Sequence, residues 1–298
     1  MELLLELFHD YFRRLHQVVL DADEEDAGRE ILGMVEGREA SEDVEIKVDE
    51  VAYKLFADVL AEYQADHIGL LNTWVRHEHD HTGSGTTNPE IRIDFDPIDG
   101  SDEYLRRIRN SVYSVICARD ADTFRPLAAA TLDVHSGMVY SVGQEGTVSI
   151  EFLRSGRVIT ANPAGHTALA NTGVSGAVYV GRMRYLLPWM EALREILSRP
   201  EHAGIALHGK GGSFVYSFIA AGVFSFYVMP DEPVDEILPG LAFAELVGFP
   251  VLVREGTGNW VQFDIRSHGE LKRVPFLVVA CTNDLAAELT AAVDQMVG

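Results

Sequence analysis

At 298 residues, 47% of them hydrophobic and 23% charged, the chain can bury a sizeable core as one large or two modest domains of a soluble globular protein. A count of 24 Lys and Arg against 46 Asp and Glu gives a formal charge of -22, which opposes binding to nucleic acid polymers and to anionic membrane surfaces. Cys117 and Cys281 lie far apart with no CxxC spacing, which suggests neither a disulfide framework nor a structural zinc site and fits a reducing cytoplasm.

The opening "MELLLELFHDYFRRLHQVVL" is apolar at Leu4, Leu7, Phe8, Tyr11, Phe12, Leu15, Val18 and Val19. Charges interrupt it and no small-residue cleavage site follows, so it reads as an amphipathic core helix rather than a signal peptide. A second helix is predicted near residues 24 to 36. "VEIKVDEVAYKLFADVLAEYQ" then changes from alternation at Val44, Ile46 and Val48 to helical spacing at Val51, Leu55, Phe56, Val59 and Leu60, with Asp49 at the change. "LLNTWVRHE" reads as a strand, "DHTGSGTTNPE" as a loop and "IRIDF" as the next strand. "NSVYSVICARD", "RPLAAATLDVHSGMVYSV" and "GTVSIEFL" continue as a meander, with turns at "RDADTFRP" and "HSG". From about residue 155 the pattern alternates: strand "AVYVG", helix "LLPWMEALREILSR", strand "GIALH", helix "GGSFVYSFIAAG", strand "VFSFYVM", a helix from about Asp235 to Val247, strands "FPVLV" and "PFLVVAC", and a final helix. This predicts an α/β (α+β) protein with an N-terminal half over 1–155 and a C-terminal half over 156–298.

The stretch "RIDFDPIDGSDEYL" sets Asp94, Asp96 and Asp99 close together. Neighbouring carboxylates repel, so such a cluster needs bulk water or a cation. Strand parity places Ile91, Ile93 and Phe95 on one face and Arg92, Asp94 and Asp96 on the other. Pro97 pushes Asp96 toward extended backbone, and Gly100 permits the turn that swings Asp99 back. Asp96, Asp99 and the Ile98 carbonyl then converge as hard oxygen ligands for Mg²⁺, while Ser101 serves as N-cap of a helix whose amides offer donors to a phosphate.

"DPIDGS" closely resembles the signature of the magnesium-dependent, lithium-sensitive phosphatases, the superfamily of inositol monophosphatases and fructose bisphosphatases. The resemblance implies a layered αβαβα sandwich with two or three Mg²⁺ per site. It also implies metal ligation by Asp96, the Ile98 carbonyl and Asp99, and phosphate contacts from Gly100 and Ser101. "DVEIKVD" is similar to an earlier family segment and sets Asp49 at the water-activating aspartate, with Ile46 in place of a threonine. "GGSFVYSFIAAG" and "LVVACTNDLAAEL" resemble later family elements. In "PVDEILPGLAFAELVG", Glu236, Pro239, Glu245 and Gly248 follow the fructose bisphosphatase spacing, which implies Glu236 as a metal ligand, with Asp235 as the substitute. The family's Glu-Glu pair is replaced by "RHEHDH", where Glu78 is the surviving carboxylate; an alternative register puts the altered pair at "IGLLN", residues 68–72.

On this resemblance, one metal would be held by Glu78, Asp96 and the Ile98 carbonyl and another by Asp96, Asp99 and Glu236. Asp49 and Ser101 would take the proton of the attacking water. Substrate binding falls to Gly100, Ser101, Asp99, Asp235 and Lys210. Arg182, Arg184, His208 and Lys210 are cationic positions near strand ends that either meet a phosphate or face solvent. His77, His79 and His81 suit a transition metal by type, or simply begin a solvated loop. The implied function is hydrolysis of a small phosphorylated sugar or polyol, of the inositol monophosphate or fructose 1,6-bisphosphate type, by a homodimer. The alternatives are a nucleotide 3'-phosphatase and a catalytically impaired relative that binds a phosphorylated ligand.

Overall fold

The computed structural model describes residues 2–34, 44–70, 72–77, 83–179, 198–256, 258–269 and 271–297. Helix α1 (Glu2–Glu24) forms where the periodicity places it and buries Leu4, Leu7, Phe8, Tyr11, Phe12, Leu15 and Val19 along one stripe. Glu24 ends it. The helix predicted near 24–36 does not form over 25–34, because Asp26 (φ 56°) and Gly28 (φ 81°) take left-handed backbone that a right-handed helix cannot propagate. Strand β1 (Ile31–Met34) follows instead and pairs antiparallel with β2 (Val44–Ile46). Helix α2 (Lys47–Asp66) starts at once after β2, which is the switch of period seen in the sequence.

Two compact units divide the chain, one comprising 1–145 with 149–160 and the other 146–148 with 161–298. In the first, an eight-stranded sheet has the order β10-β9-β8-β7-β6-β5-β3-β4. Its strands are β3 (Thr73–His77), β4 (Ser84–Gly85), β5 (Ile91–Asp99), β6 (Tyr113–Asp120), β7 (Pro126–Asp133), β8 (Met138–Gly143), β9 (Val148–Phe152) and β10 (Arg157–Ala161). Strands β5 to β8 pair antiparallel in turn, the predicted meander occupies the successive neighbours β6 to β9, and β3 joins β5 in parallel. Ile93 and Phe95 face the core that α1 and α2 complete. There Tyr11 meets Phe56 and Phe95 edge to face, with centroids 5.3 and 5.5 Å away. Each such buried ring contributes about 1.5–3 kcal/mol through lost contact with water.

The second unit holds a mixed six-stranded sheet of order β12-β11-β13-β16-β14-β15. Its strands are β11 (Ser175–Val178), β12 (Ala206–His208), β13 (Phe226–Pro233), β14 (Val251–Arg254), β15 (Trp260–Gln262) and β16 (Arg273–Ala280). Its helices are α4 (Phe214–Ala220), α5 (Val234–Val247), the short α6 (Ile265–His268) and α7 (Asn283–Val297). Helices α4 and α5 pack closely at Gly240, where a Cβ would stand 2.2 Å from the Ser213 carbonyl oxygen. The predicted helix "LLPWMEALREILSR", with Trp189, falls outside the described residues except for its last two positions, which lie in no helix. Among the described residues no helix is long and apolar enough to cross a membrane.

Candidate functional site

The C-terminal end of β5 gathers the motif. The ladder between β5 and β6 runs from Ile91 to Asp96 and then shifts, so that Asp99 pairs with Tyr113. Gly100 follows at φ 98°, and a Cβ there would stand 2.2 Å from the Ser111 carbonyl oxygen. Only glycine meets both conditions without strain. Gly100, and not Ser101, occupies the cap position of the five-residue helix α3 (Ser101–Leu105), correcting the expected N-cap. Because Ser101 is already the first helical residue, its hydroxyl turns back instead. It lies 3.0 Å from the Ile98 carbonyl oxygen and 3.3 Å from Asp49 Oδ1, and donates its proton toward these two acceptors.

Asp49 arrives from the first turn of α2. Its Oδ2 accepts the Ile46 N–H at 2.8 Å, closing the helix start, and the N-terminal end of the helix dipole favours its negative charge. Asp49 and Asp96 are each 2% exposed. Burial pushes the Tyr11 phenol well above its ordinary pKa; a contact with Ser114 opposes the rise, and the charges of Asp96 and Asp49 reinforce it. Both carboxylates therefore act on one buried hydroxyl. The Ser114 hydroxyl in turn donates to the Asp96 carbonyl oxygen at 3.4 Å. Asp99 is half-buried; burial and then the charges of Asp133 and Asp99 raise the Tyr113 phenol.

Asp94 belongs to a different group. Register sets it beside Arg76 of β3, and its carboxylate accepts from Arg76 at 3.0 Å and from Arg92 at 2.8 Å. Burial opposes its ionisation, but Arg76 and Arg92 outweigh that and hold its pKa below the ordinary carboxylate value. The sequence cluster of three aspartates thus splits into one ion-paired residue and two at the strand end.

Glu78, His79, His81, Arg182 and Arg184 lie outside the described residues. His77 ends β3 with its ring against Tyr53, centroids 4.3 Å apart. The alternative "IGLLN" register falls on a 3-10 turn at Ile68–Leu70, with Ile68 on the surface. In the second unit, Asp235 and Glu236 occupy the first turn of α5, half-buried, and the Ser213 hydroxyl donates to the Glu236 carbonyl oxygen. Lys210 is half-buried between β12 and α4, and its N–H donates to the His208 carbonyl oxygen. Tyr11 and Ser114 escape sequence reasoning because one sits in an apolar helical stripe and the other in an alternating strand.

The candidate residues Asp49, Asp96 and Asp99, the Ile98 carbonyl and the Ser101 hydroxyl offer oxygen donors only, the type that suits Mg²⁺ and Ca²⁺ rather than softer metals. The set fits a hard divalent cation in kind. Among the described residues no three Asp, Glu, His or Cys side chains form a metal-holding group, so Asp49, Asp96 and Asp99 do not by themselves make one.

No family model matches the sequence, and no curated protein matches it. Solved structures do match the fold over nearly the whole chain. The extragenic suppressor protein SuhB of Bartonella henselae is 15% identical with a TM-score of 0.67, the match covering 98% of this chain and 97% of that one. A calcium-bound inositol monophosphatase family protein of Staphylococcus aureus is 13% identical, with a TM-score of 0.69 and 98% and 94% coverage. SaIMPase-II, solved with inositol monophosphate bound, is 14% identical, with a TM-score of 0.67 and 99% and 97% coverage. The chain shares its α/β fold with these three structures.

Proposed function

We propose that this protein is a Mg²⁺-dependent phosphomonoesterase acting on a small phosphorylated sugar or polyol. The observation that carries the reading is the link from Asp49 through the Ser101 hydroxyl to the Ile98 carbonyl, beside buried Asp96, at the end of β5. Its support is twofold: the fold likeness, which includes a structure with inositol monophosphate bound, and the oxygen-only donor set.

In this reading Asp96, the Ile98 carbonyl and Asp99 would hold Mg²⁺, which supplies charge neutralisation at the phosphoryl oxygens and a more acidic water. Glu78 and Glu236 as further ligands, and Asp235 and Lys210 as substrate contacts, rest on motif alone. Asp49, fixed by the Ile46 N–H, stays available as the final proton acceptor. Ser101 donates toward Asp49 while a lone pair of its oxygen can take a proton from water, so the pair forms a two-step relay. Gly100 and Ser101 are assigned to the phosphate. The neighbouring carboxylates of Asp96 and Asp99, close together in sequence, make cation binding a precondition for an anionic ester to dwell here.

The test is phosphate release from a panel that includes inositol monophosphate, fructose 1,6-bisphosphate and adenosine 3',5'-bisphosphate, with and without Mg²⁺. Turnover of a sugar or polyol ester only with Mg²⁺ supports the proposal. Preference for the nucleotide moves the substrate class, and tight ester binding without turnover indicates an impaired relative.

A further inference from the structure

The first unit carries a cleft of about 430 Å³ at the other end of β5, lined by Trp74, Arg92 and Phe124, with Ser84, Thr87 and Pro89 among its other residues. Its volume lies in the range of small-molecule sites. The Arg92 guanidinium carbon lies 5.0 Å from the Trp74 ring centroid and 5.6 Å from that of Phe124. Its Nε and Nη2 donate to Asp94 at 3.0 and 2.8 Å. Those bonds use one edge of the planar group and leave its end-on fork, Nη1 with the second Nη2 hydrogen, for another acceptor.

Phe124 is held in place at a conformational cost. Its φ is 59°, a region that bulky side chains seldom enter. The Phe124 N–H donates to the Asp120 carbonyl oxygen at 2.8 Å, and its own carbonyl accepts from Nη1 of fully buried Arg119 at 3.2 Å. Such strain persists where the surroundings over-determine it, and it clusters at ligand sites. Here it sets a ring over Arg92. Two aromatic walls and a guanidinium fork match a flat ligand with a planar, bidentate anion better than they match a tetrahedral one.

We propose that this cleft binds a small aromatic carboxylate, its carboxylate on the free fork of Arg92 and its ring against Trp74 and Phe124. The inference does not depend on the phosphatase reading.

Benzoate is the probe, titrated into the full-length ¹⁵N-labelled protein while the Trp74 indole N–H resonance, assigned with Trp74→Phe, is followed. A saturable shift is expected, with benzyl alcohol giving none. Arg92→Gln should weaken benzoate about tenfold or more, the loss of a charge-assisted pair. Phe124→Leu leaves the Arg92–Asp94 pair intact and should weaken it severalfold, which keeps the test open if Arg92→Gln does not fold. The proposal is overturned by the absence of a saturable shift, by equal affinity in folded Arg92→Gln, by benzyl alcohol binding as well as benzoate, or by inorganic phosphate binding there at least as tightly.

Discussion

The Ser101 hydroxyl donates toward Asp49 across 3.3 Å, tying the first turn of α2 to the first residue of α3 over 52 positions of sequence. If this pair relays a proton, Asp49→Asn should lower phosphate release about 10²- to 10⁴-fold, the usual reach of a positioned base. The amide oxygen of Asn can still accept the Ile46 N–H, so the thermal midpoint should stay within a few degrees of wild type. A parallel loss of fold and activity would reassign Asp49 to structure alone.

Gly100→Ala tests the turn. A left-handed φ of 98° and a Cβ only 2.2 Å from the Ser111 oxygen both oppose any side chain. The left-handed backbone alone costs about 1–2 kcal/mol, and the clash should bring the total to roughly 2–4 kcal/mol. Urea unfolding reads it directly.

Asp94 carries a stability prediction with a definite sign. Its pKa is lowered in the folded protein, so its contribution is fully present above the ordinary value of 3.8 and is lost only as pH falls through the lower folded value. Asp94→Ala should destabilise by about 3–5 kcal/mol near neutral pH by leaving Arg76 and Arg92 without their shared carboxylate. The difference between variant and wild type should shrink only below pH 3.8. The Mg²⁺ dependence of any turnover should not change, because Asp94 is not among the proposed ligands.

Much of this was legible in the residues. The α1 stripe, the change of period before Asp49 and the β5 turn are local patterns, and local patterns survive into the fold. Asp94 was not legible as an ion-paired residue, since its partner Arg76 is brought beside it by the register of two parallel strands. The failed helix near 24–36 turns on Asp26 and Gly28, whose left-handed backbone a helical period does not encode. Strands β4 and β15, of two and three residues, are too short to show a period, and β10 buries no face that would give it one.

Mg²⁺ should stabilise the wild-type protein against heat by linkage, about 2.7 kcal/mol at a concentration a hundred times its Kd. Asp96→Asn should lose that response while folding normally. An equal thermal shift in both proteins would place the cation elsewhere.

The most direct test of the whole account is inorganic phosphate released from inositol monophosphate and fructose 1,6-bisphosphate by wild type and by Asp99→Asn, each with Mg²⁺ and after chelation. Wild type should release phosphate only when Mg²⁺ is present, and a normally folded Asp99→Asn should release none. Turnover that survives chelation, or equal activity in the variant, would contradict the account.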